Sequence, residues 1–142
     1  MTTKVSPYLR FNDVKCREAF SFYKDCFGGG EINLMTVGES PMAKQMPPGS
    51  GDRIMHAVFK KGDMQILGSD MMHDKAIVGD NVTIMVEFDN EEELNTIFEK
   101  MAKGGEVFMK PEEMFWGGVF GTLTDKYGIE WSFHFQKKPM KR

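Results

Sequence analysis

The sequence predicts an α+β fold made of two successive βαβββ modules, and three observations predict it. Apolar residues recur at helical spacing twice, over 14–27 and over 91–103. Each of these stretches comes after one short strand pattern and precedes three more. The tripeptide Gly29-Gly30-Glu31, just behind the first helix, returns as Gly104-Gly105-Glu106 behind the second. Two units are too few for a solenoid. In each module an antiparallel-rich sheet would cover one face with its helix and leave the other open, which makes strand residues alternate between apolar and polar.

In order along the chain, Tyr8-Leu9-Arg10-Phe11 is a short alternating strand ending at Asn12-Asp13, either of which can cap the next helix. From Val14 to Phe27 the residues Ala19, Phe20, Tyr23 and Phe27 line one side of that helix, and Gly28-Gly29-Gly30 stops it. Glu31 to Val37 reads as a second strand. Glu39 to Asp52, with Pro41, Pro47, Pro48, Gly49 and Gly51, reads as a loop, either a lid or a disordered excursion. Arg53 to Phe59 and Met64 to Ser69 form a hairpin around Lys60-Lys61-Gly62-Asp63. The order then repeats: a strand over Val82 to Phe88, Asp89-Asn90, and a helix over Glu91 to Lys103 stopped by Gly104-Gly105. A strand starts at Glu106 to Met109. The last two cover Val119 to Thr124 and Ile129 to Phe135, turned by Asp125-Lys126-Tyr127-Gly128. In the final strand Ile129, Trp131, Phe133 and Phe135 share one face, while Glu130, Ser132, His134 and Gln136 share the other, which points at something wet.

Composition narrows the function classes. The chain has 142 residues, 18 basic against 21 acidic side chains, a formal net charge of −3, 41% hydrophobic and 27% charged residues. That is a soluble globular domain and not a disordered chain. With no excess of positive charge it is a poor partner for nucleic acid. No stretch approaches the roughly 18 apolar residues of a membrane span, and the N-terminus has no apolar leader, so no membrane partner and a cytoplasmic location are expected. Cys16 and Cys26 fall within one helix, about 15 Å apart on its rise, and a reducing compartment is the natural reading. Both read as inert, without an activating neighbour.

Several segments together carry a resemblance. Pro7-Tyr8-Leu9-Arg10-Phe11, the helix with Ala19-Phe20 and Phe22-Tyr23 leading to Phe27-Gly28-Gly29, Met55-His56-Ala57, Gly68-Ser69-Asp70, and above all Phe115-Trp116-Gly117 followed by Phe120-Gly121, Thr124-Asp125 and Trp131 resemble the PhnB-like branch of the vicinal oxygen chelate superfamily. That superfamily includes glyoxalase I, bleomycin-resistance proteins and extradiol dioxygenases. The likeness runs from about Ser6 to Phe135. It implies a single domain over 1–142, with modules at about 6–75 and 80–137. The sheets of the two modules would curl into a cup with helices outside, completed as a homodimer.

In metal-using members four ligands line the cup, from the first and last strand of each module. The resemblance places Ser6, Leu67, Thr83 and Ser132 at those positions. Divalent transition metals want imidazole, thiolate or carboxylate, so no metal and no cofactor are expected, and the Lewis-acid mechanisms go with the metal. Some members of the branch are called demethylubiquinone methyltransferases. This chain has no Gly-rich strand-to-helix turn to cradle S-adenosylmethionine, because Gly28-Gly29-Gly30 comes after a helix.

The remaining candidates for a site each have a plainer reading. His134, on the wet face with Ser132, is an acid, a base, a hydrogen-bond donor, or only a half-exposed strand histidine. His56 is a weaker candidate of the same kind, its face unreadable in an apolar strand, and His73 reads as solvated. Glu87, on the wet face with Thr83 and Met85, would complete an atypical metal set with His56 and His134, though no ligand-spacing motif supports one. Tyr8 and Arg10 share parity with Ser6, so Arg10 either receives an anion or forms a surface salt bridge. Phe115, Trp116 and Phe120 wall a pocket or pack on a partner subunit.

Met42, Met46, Met85 and Met114 suit a pliable pocket lining, whereas Met55, Met64 and Met101 suit core filling. Glu91-Glu92-Glu93 suits a helix N-terminus, and the tail Lys137 to Arg142 a solvated end. The function these readings support is metal-independent binding of a small, largely apolar or mixed-polarity molecule. The alternative is an enzyme of lyase, isomerase or dioxygenase type, using an atypical metal site or His134-assisted proton transfer.

Overall fold

Alternating strands that each have one apolar side need a cover for that side, and in this chain one helix per sheet supplies it. The structure, a computed structural model, describes residues 3–136. The chain divides into two units, Met1–Ile77 and Val78–Arg142. The first contains β1 (Tyr8–Phe11), α1 (Cys16–Phe27), β2 (Glu31–Thr36), β3 (Ile54–Lys61) and β4 (Met64–Asp70), with strand order β1-β4-β3-β2. The second contains β5 (Ile84–Phe88), α2 (Glu91–Ala102), β6 (Glu106–Glu113), β7 (Gly118–Thr124) and β8 (Glu130–Gln136), in the order β5-β8-β7-β6. In both sheets the first strand pairs parallel with the last and the other pairings are antiparallel. The expected α+β class and strand–helix–strand–strand–strand order are therefore present twice, in two separate four-stranded sheets.

α1 forms because Cys16, Ala19, Phe20, Tyr23, Cys26 and Phe27 fall on one side of it, and all six are buried. Burying each large side chain contributes roughly 2 kcal/mol. Phe20 meets Phe11 edge to face at 6.1 Å, and Phe27 meets Phe59 at 6.2 Å. Gly68 makes this approach possible, since a β-carbon there would stand 2.9 Å from the Phe20 ring and 2.8 Å from the Leu9 carbonyl. α2 repeats the design with Leu94, Ile97, Phe98 and Met101, and Phe98 meets Phe133 edge to face at 5.1 Å. Of the methionines read as core filling, Met101 is fully buried while Met55 and Met64 are only half-buried.

The two helices begin differently. Asn90 caps α2 as its position predicts, its side-chain oxygen accepting from Glu93 N–H at 2.9 Å. The first helix starts at Cys16 and not at Val14, because Asp13 and Val14 both have φ of 57°, a left-handed conformation that cannot continue into a helix. Neither Asn12 nor Asp13 caps it. Asn12 instead exchanges two hydrogen bonds with the backbone of Ala76, at 2.8 and 3.1 Å. The cap comes from the neighbouring strand, at the end of β4, where Asp70 Oδ1 accepts from Cys16 N–H at 2.9 Å and Oδ2 from Ile54 N–H at 2.7 Å.

Other differences are of extent. β5 begins at Ile84, leaving Val82 outside the strand and 74% exposed. β6 runs on through Pro111 to Glu113, which an edge strand tolerates because a missing N–H there costs no ladder bond. Residues 39–52 are not a disordered excursion. Backbone bonds from Val37 N–H to Arg53 and from Gly38 N–H to Gly51 close the neck, and a short 3-10 turn covers Ala43–Gln45. The basic tail at 137–142 lies outside the described residues.

Asp70 is 3% exposed and joins the start of α1 to the start of β3. Asp70→Ala leaves two buried N–H groups without an acceptor and is expected to cost about 3 kcal/mol in urea unfolding, with Asp70→Asn losing less.

Candidate functional site

Parity and register decide which side chains meet on the face of each sheet turned away from its helix. On the first sheet one row is Tyr8, Leu67, Val58 and Asn33, drawn from β1, β4, β3 and β2. Arg10 lies beside Ser69 in the next row. Continuing the β3–β4 register by one step sets His56 beside Ser69, and Met35 pairs with His56. On the other side Gln65, Lys60 and Glu31 align, and Gln65 Nε2 donates to Ser6 Oγ at 2.9 Å. The Tyr8 and His56 rings lie 6.0 Å apart, tilted by 35°.

The second sheet has the same lattice with different chemistry. Met85, Ser132, Thr122 and Met109 form one row, and Glu87, His134, Phe120 and Glu112 the next. Thr83 and Ser132 share a hydrogen bond of 3.0 Å between their hydroxyls. His134 Nδ1 faces Glu87 Oε1 at 3.9 Å. Its other nitrogen points to Gly118. A β-carbon on Gly118 would stand 2.7 Å from Trp116 Nε1, 2.8 Å from His134 Nε2 and 3.2 Å from Gln136 Oε1. The missing side chain is what lets an indole donor, an imidazole nitrogen and an amide oxygen close over this backbone, with no room left for a β-carbon. The Trp116 backbone carbonyl accepts from Gln136 Nε2 at 3.3 Å, which ties the β6–β7 loop to the end of β8.

The residues singled out from sequence fall into two groups, one on each sheet. Tyr8, Arg10 and His56 come together on the first. Thr83, Met85, Phe120, Ser132 and His134 come together on the second, with Glu87 beside His134 and Trp116 above Gly118. Phe115 sits at the loop tip, 99% exposed, and meets only the edge of Trp116, at 5.1 Å. His73 is exposed on the connector after β4. Sequence reasoning gave Ser69 and Gln65 no place in a site, left Gln136 simply on the wet face of its strand, and gave Gly118 no role. Strand alternation could have flagged the first three, whereas only the packing above Gly118 shows why that position lacks a side chain.

The quartet Ser6, Leu67, Thr83 and Ser132 does not fit a transition metal. Leu67 has no donor atom, Ser6 is held by Gln65, and Thr83 and Ser132 bond to each other. Among the described residues no three His, Cys, Asp or Glu side chains are grouped to hold an ion, and no helix is long and apolar enough to cross a membrane.

Solved structures share this fold. A crystal structure of a glyoxalase/bleomycin resistance protein/dioxygenase from Nocardioides shares the fold, with a TM-score of 0.59 at 15% identity, covering 99% of this chain and 89% of that one. The chain belongs to the family described as 3-demethylubiquinone-9 3-methyltransferase, whose model matches residues 3–134. It is similar to protein PA1353 from Pseudomonas aeruginosa, at 31% identity and a TM-score of 0.85 over 96% of this chain and all of that one. It is also similar to a Bacillus cereus PhnB protein titled a putative 3-demethylubiquinone-9 3-methyltransferase, at 27% identity and a TM-score of 0.77 over 94% and 99% of the two chains. The PhnB-like resemblance read from the sequence is thereby confirmed.

Cys16 offers no nucleophile. Burial, reinforced by the nearby Asp70 carboxylate and only partly opposed by Arg17, pushes its thiol from 9.0 up to about 12. A thiol raised in the fold contributes stability in full below its unfolded value, and that contribution is lost as pH rises from about 9 towards 12. Unfolding free energy is therefore expected to fall across that window, less steeply in Cys16→Ala. Ellman's reagent should reach Cys16 only after denaturation.

Proposed function

We propose that this protein binds a small molecule of largely apolar or mixed polarity on the helix-free faces of its sheets, without a metal. The single observation that carries this reading is the mixed polarity of the second sheet's helix-free face, where Met85, Ser132 and Thr122 share one row and Glu87, His134 and Phe120 the next. A ligand hydroxyl or carbonyl suits the hydroxyls and the imidazole of these rows. Phe120 and Met85 supply apolar contact on that face and Thr83 and Ser132 supply hydroxyls, while Tyr8 and Arg10 belong to the face of the first sheet. Phe115, at the loop tip, takes an outer role.

Sequestration needs only such a binding face, so the reading is a binding protein working as a homodimer in the cytoplasm. The two free, buried cysteines agree with a reducing compartment, and the exposed Phe108 and Phe115 agree with a partner subunit. Methyl transfer from S-adenosylmethionine finds no support in the residues. The strand-to-helix turns Asn12–Lys15 and Asp89–Asn90 contain no glycine to let a cofactor approach the backbone.

One observation favours a second reading, that of an enzyme. Glu87 lies on the Nδ1 side of His134, at 3.9 Å, and a carboxylate beside one imidazole nitrogen is how a general base is oriented.

Met85→Glu is the direct test of the binding reading. It sets a charge in the apolar part of that face at a half-exposed position, so calorimetric titration with anilinonaphthalene sulfonate, or with a hit from a phenol and ketone library, should weaken at least about tenfold while the thermal midpoint stays close to wild type. Unchanged affinity overturns the reading, as does a stoichiometric transition metal in protein purified without added metal. If His134→Ala keeps the affinity for a compound but loses its turnover, the enzyme reading takes its place.

A further inference from the structure

The face of the first sheet holds polar groups of its own, apart from those on the second. Arg10 and Ser69 are register partners on adjacent parallel strands, and His56 comes next on the third strand. Adjacent strands lie about 4.8 Å apart, so the three side chains stand in one line across the sheet. The short Ser69 in the middle, flanked by the long Arg10 and the His56 ring, makes a saddle with N–H donors on both walls and a hydroxyl at its floor. Neither Arg10 nor Ser69 has a side-chain partner among the described residues.

The charge around this saddle is unusual for a chain of net charge −3. Within the rows of this face the acidic residue is Glu31, two rows away and directly opposite Lys60. Asp70 lies on the helix side, with both oxygens already accepting backbone N–H groups. A guanidinium with no carboxylate beside it, next to a hydroxyl and an imidazole, is a donor set for an oxyanion. The adjoining row, Tyr8, Leu67 and Val58, continues the surface as an apolar floor, with the Tyr8 ring close to His56.

The internal repeat supplies a contrast. Counted from the ends of the first strands, Phe11 and Phe88, the position of Arg10 corresponds to Glu87 and that of Ser69 to His134. The second sheet therefore has a carboxylate where the first has its guanidinium, and only the first suits an anion.

Resting on the small-molecule reading above, we infer that Arg10, Ser69 and His56 form an oxyanion subsite for a carboxylate or phosphate group, with the ligand's apolar part over Leu67 and Val58. The ligand class is then a small organic acid or phosphate ester.

The test is nuclear magnetic resonance titration of the whole protein with inorganic phosphate and, separately, with acetate, at ionic strength held constant with chloride. Saturable shifts at the Arg10 Nε–H, the Ser69 amide and the His56 ring are expected, with none at Glu87 or His134. Arg10→Gln should weaken the binding about tenfold or more, and Arg10→Lys, which keeps the charge but loses the fork, should fall between. Saturation by phosphate alone assigns the phosphate ester, and saturation by acetate alone or by both assigns the acid. Shifts that grow linearly to the highest concentration, or that are unchanged in Arg10→Gln, overturn the inference. The same titration on Met85→Glu separates the two readings, since phosphate or acetate shifts kept in that variant show the subsite intact even where the face of the second sheet has failed its own test.

Discussion

The parallel ladder between the first and last strand of each unit sets everything found on the helix-free faces. Because Tyr8 lies against Leu67 and Met85 against Ser132, strands at opposite ends of a unit's sequence become neighbours, and their side chains fall into common rows. A slip of one residue would turn Arg10 or His134 towards the helix and bring Phe11 or Phe133 out. The apolar face prevents that slip. Phe20 over Gly68 and Phe98 against Phe133 fit only one register, so helix packing on one side holds the chemistry in place on the other.

Buried carboxylates reinforce both units at the points where regular structure breaks. Asp70 ties the first turn of α1 and the start of β3 to the end of β4. Asp125, in the β7–β8 turn, accepts from the Tyr127 and Ile129 backbone and from Trp131 Nε1. Each puts its hydrogen bonds where backbone or indole N–H groups would otherwise be buried unpaired, a loss worth more than the gain from an average hydrogen bond. Two units with one architecture have therefore found similar solutions with residues that do not correspond in the repeat.

On the helix-free faces the units diverge. The first presents Arg10, Ser69 and His56 and the second Glu87, His134 and Phe120 on equivalent lattice points, so duplication preserved the scaffold and released the chemistry. The hydroxyls of Thr83 and Ser132 bond to each other and tie the residue before β5 to β8.

Periodicity made much of this legible in the chain alone. The repeat, the two helices, the sided strands and the shared face of Ser132 and His134 all arise from local spacing, because a helix period or a strand alternation shows within a few residues. The family resemblance rested on short motifs of the same local kind. What the local pattern could not decide were contacts between residues far apart in sequence. The face of His56, in a strand apolar on both sides, waited on its pairing with Met35; the start of α1 waited on a carboxylate 54 residues away; and the reason for Gly118 waited on Trp116, His134 and Gln136 meeting above it. The sequence by itself determined the class of fold and the sidedness of its strands, since these are local preferences of backbone and side chain. Which polar groups share a row, and where a side chain has no room, was decided only by tertiary structure, because register and long-range packing bring those atoms together.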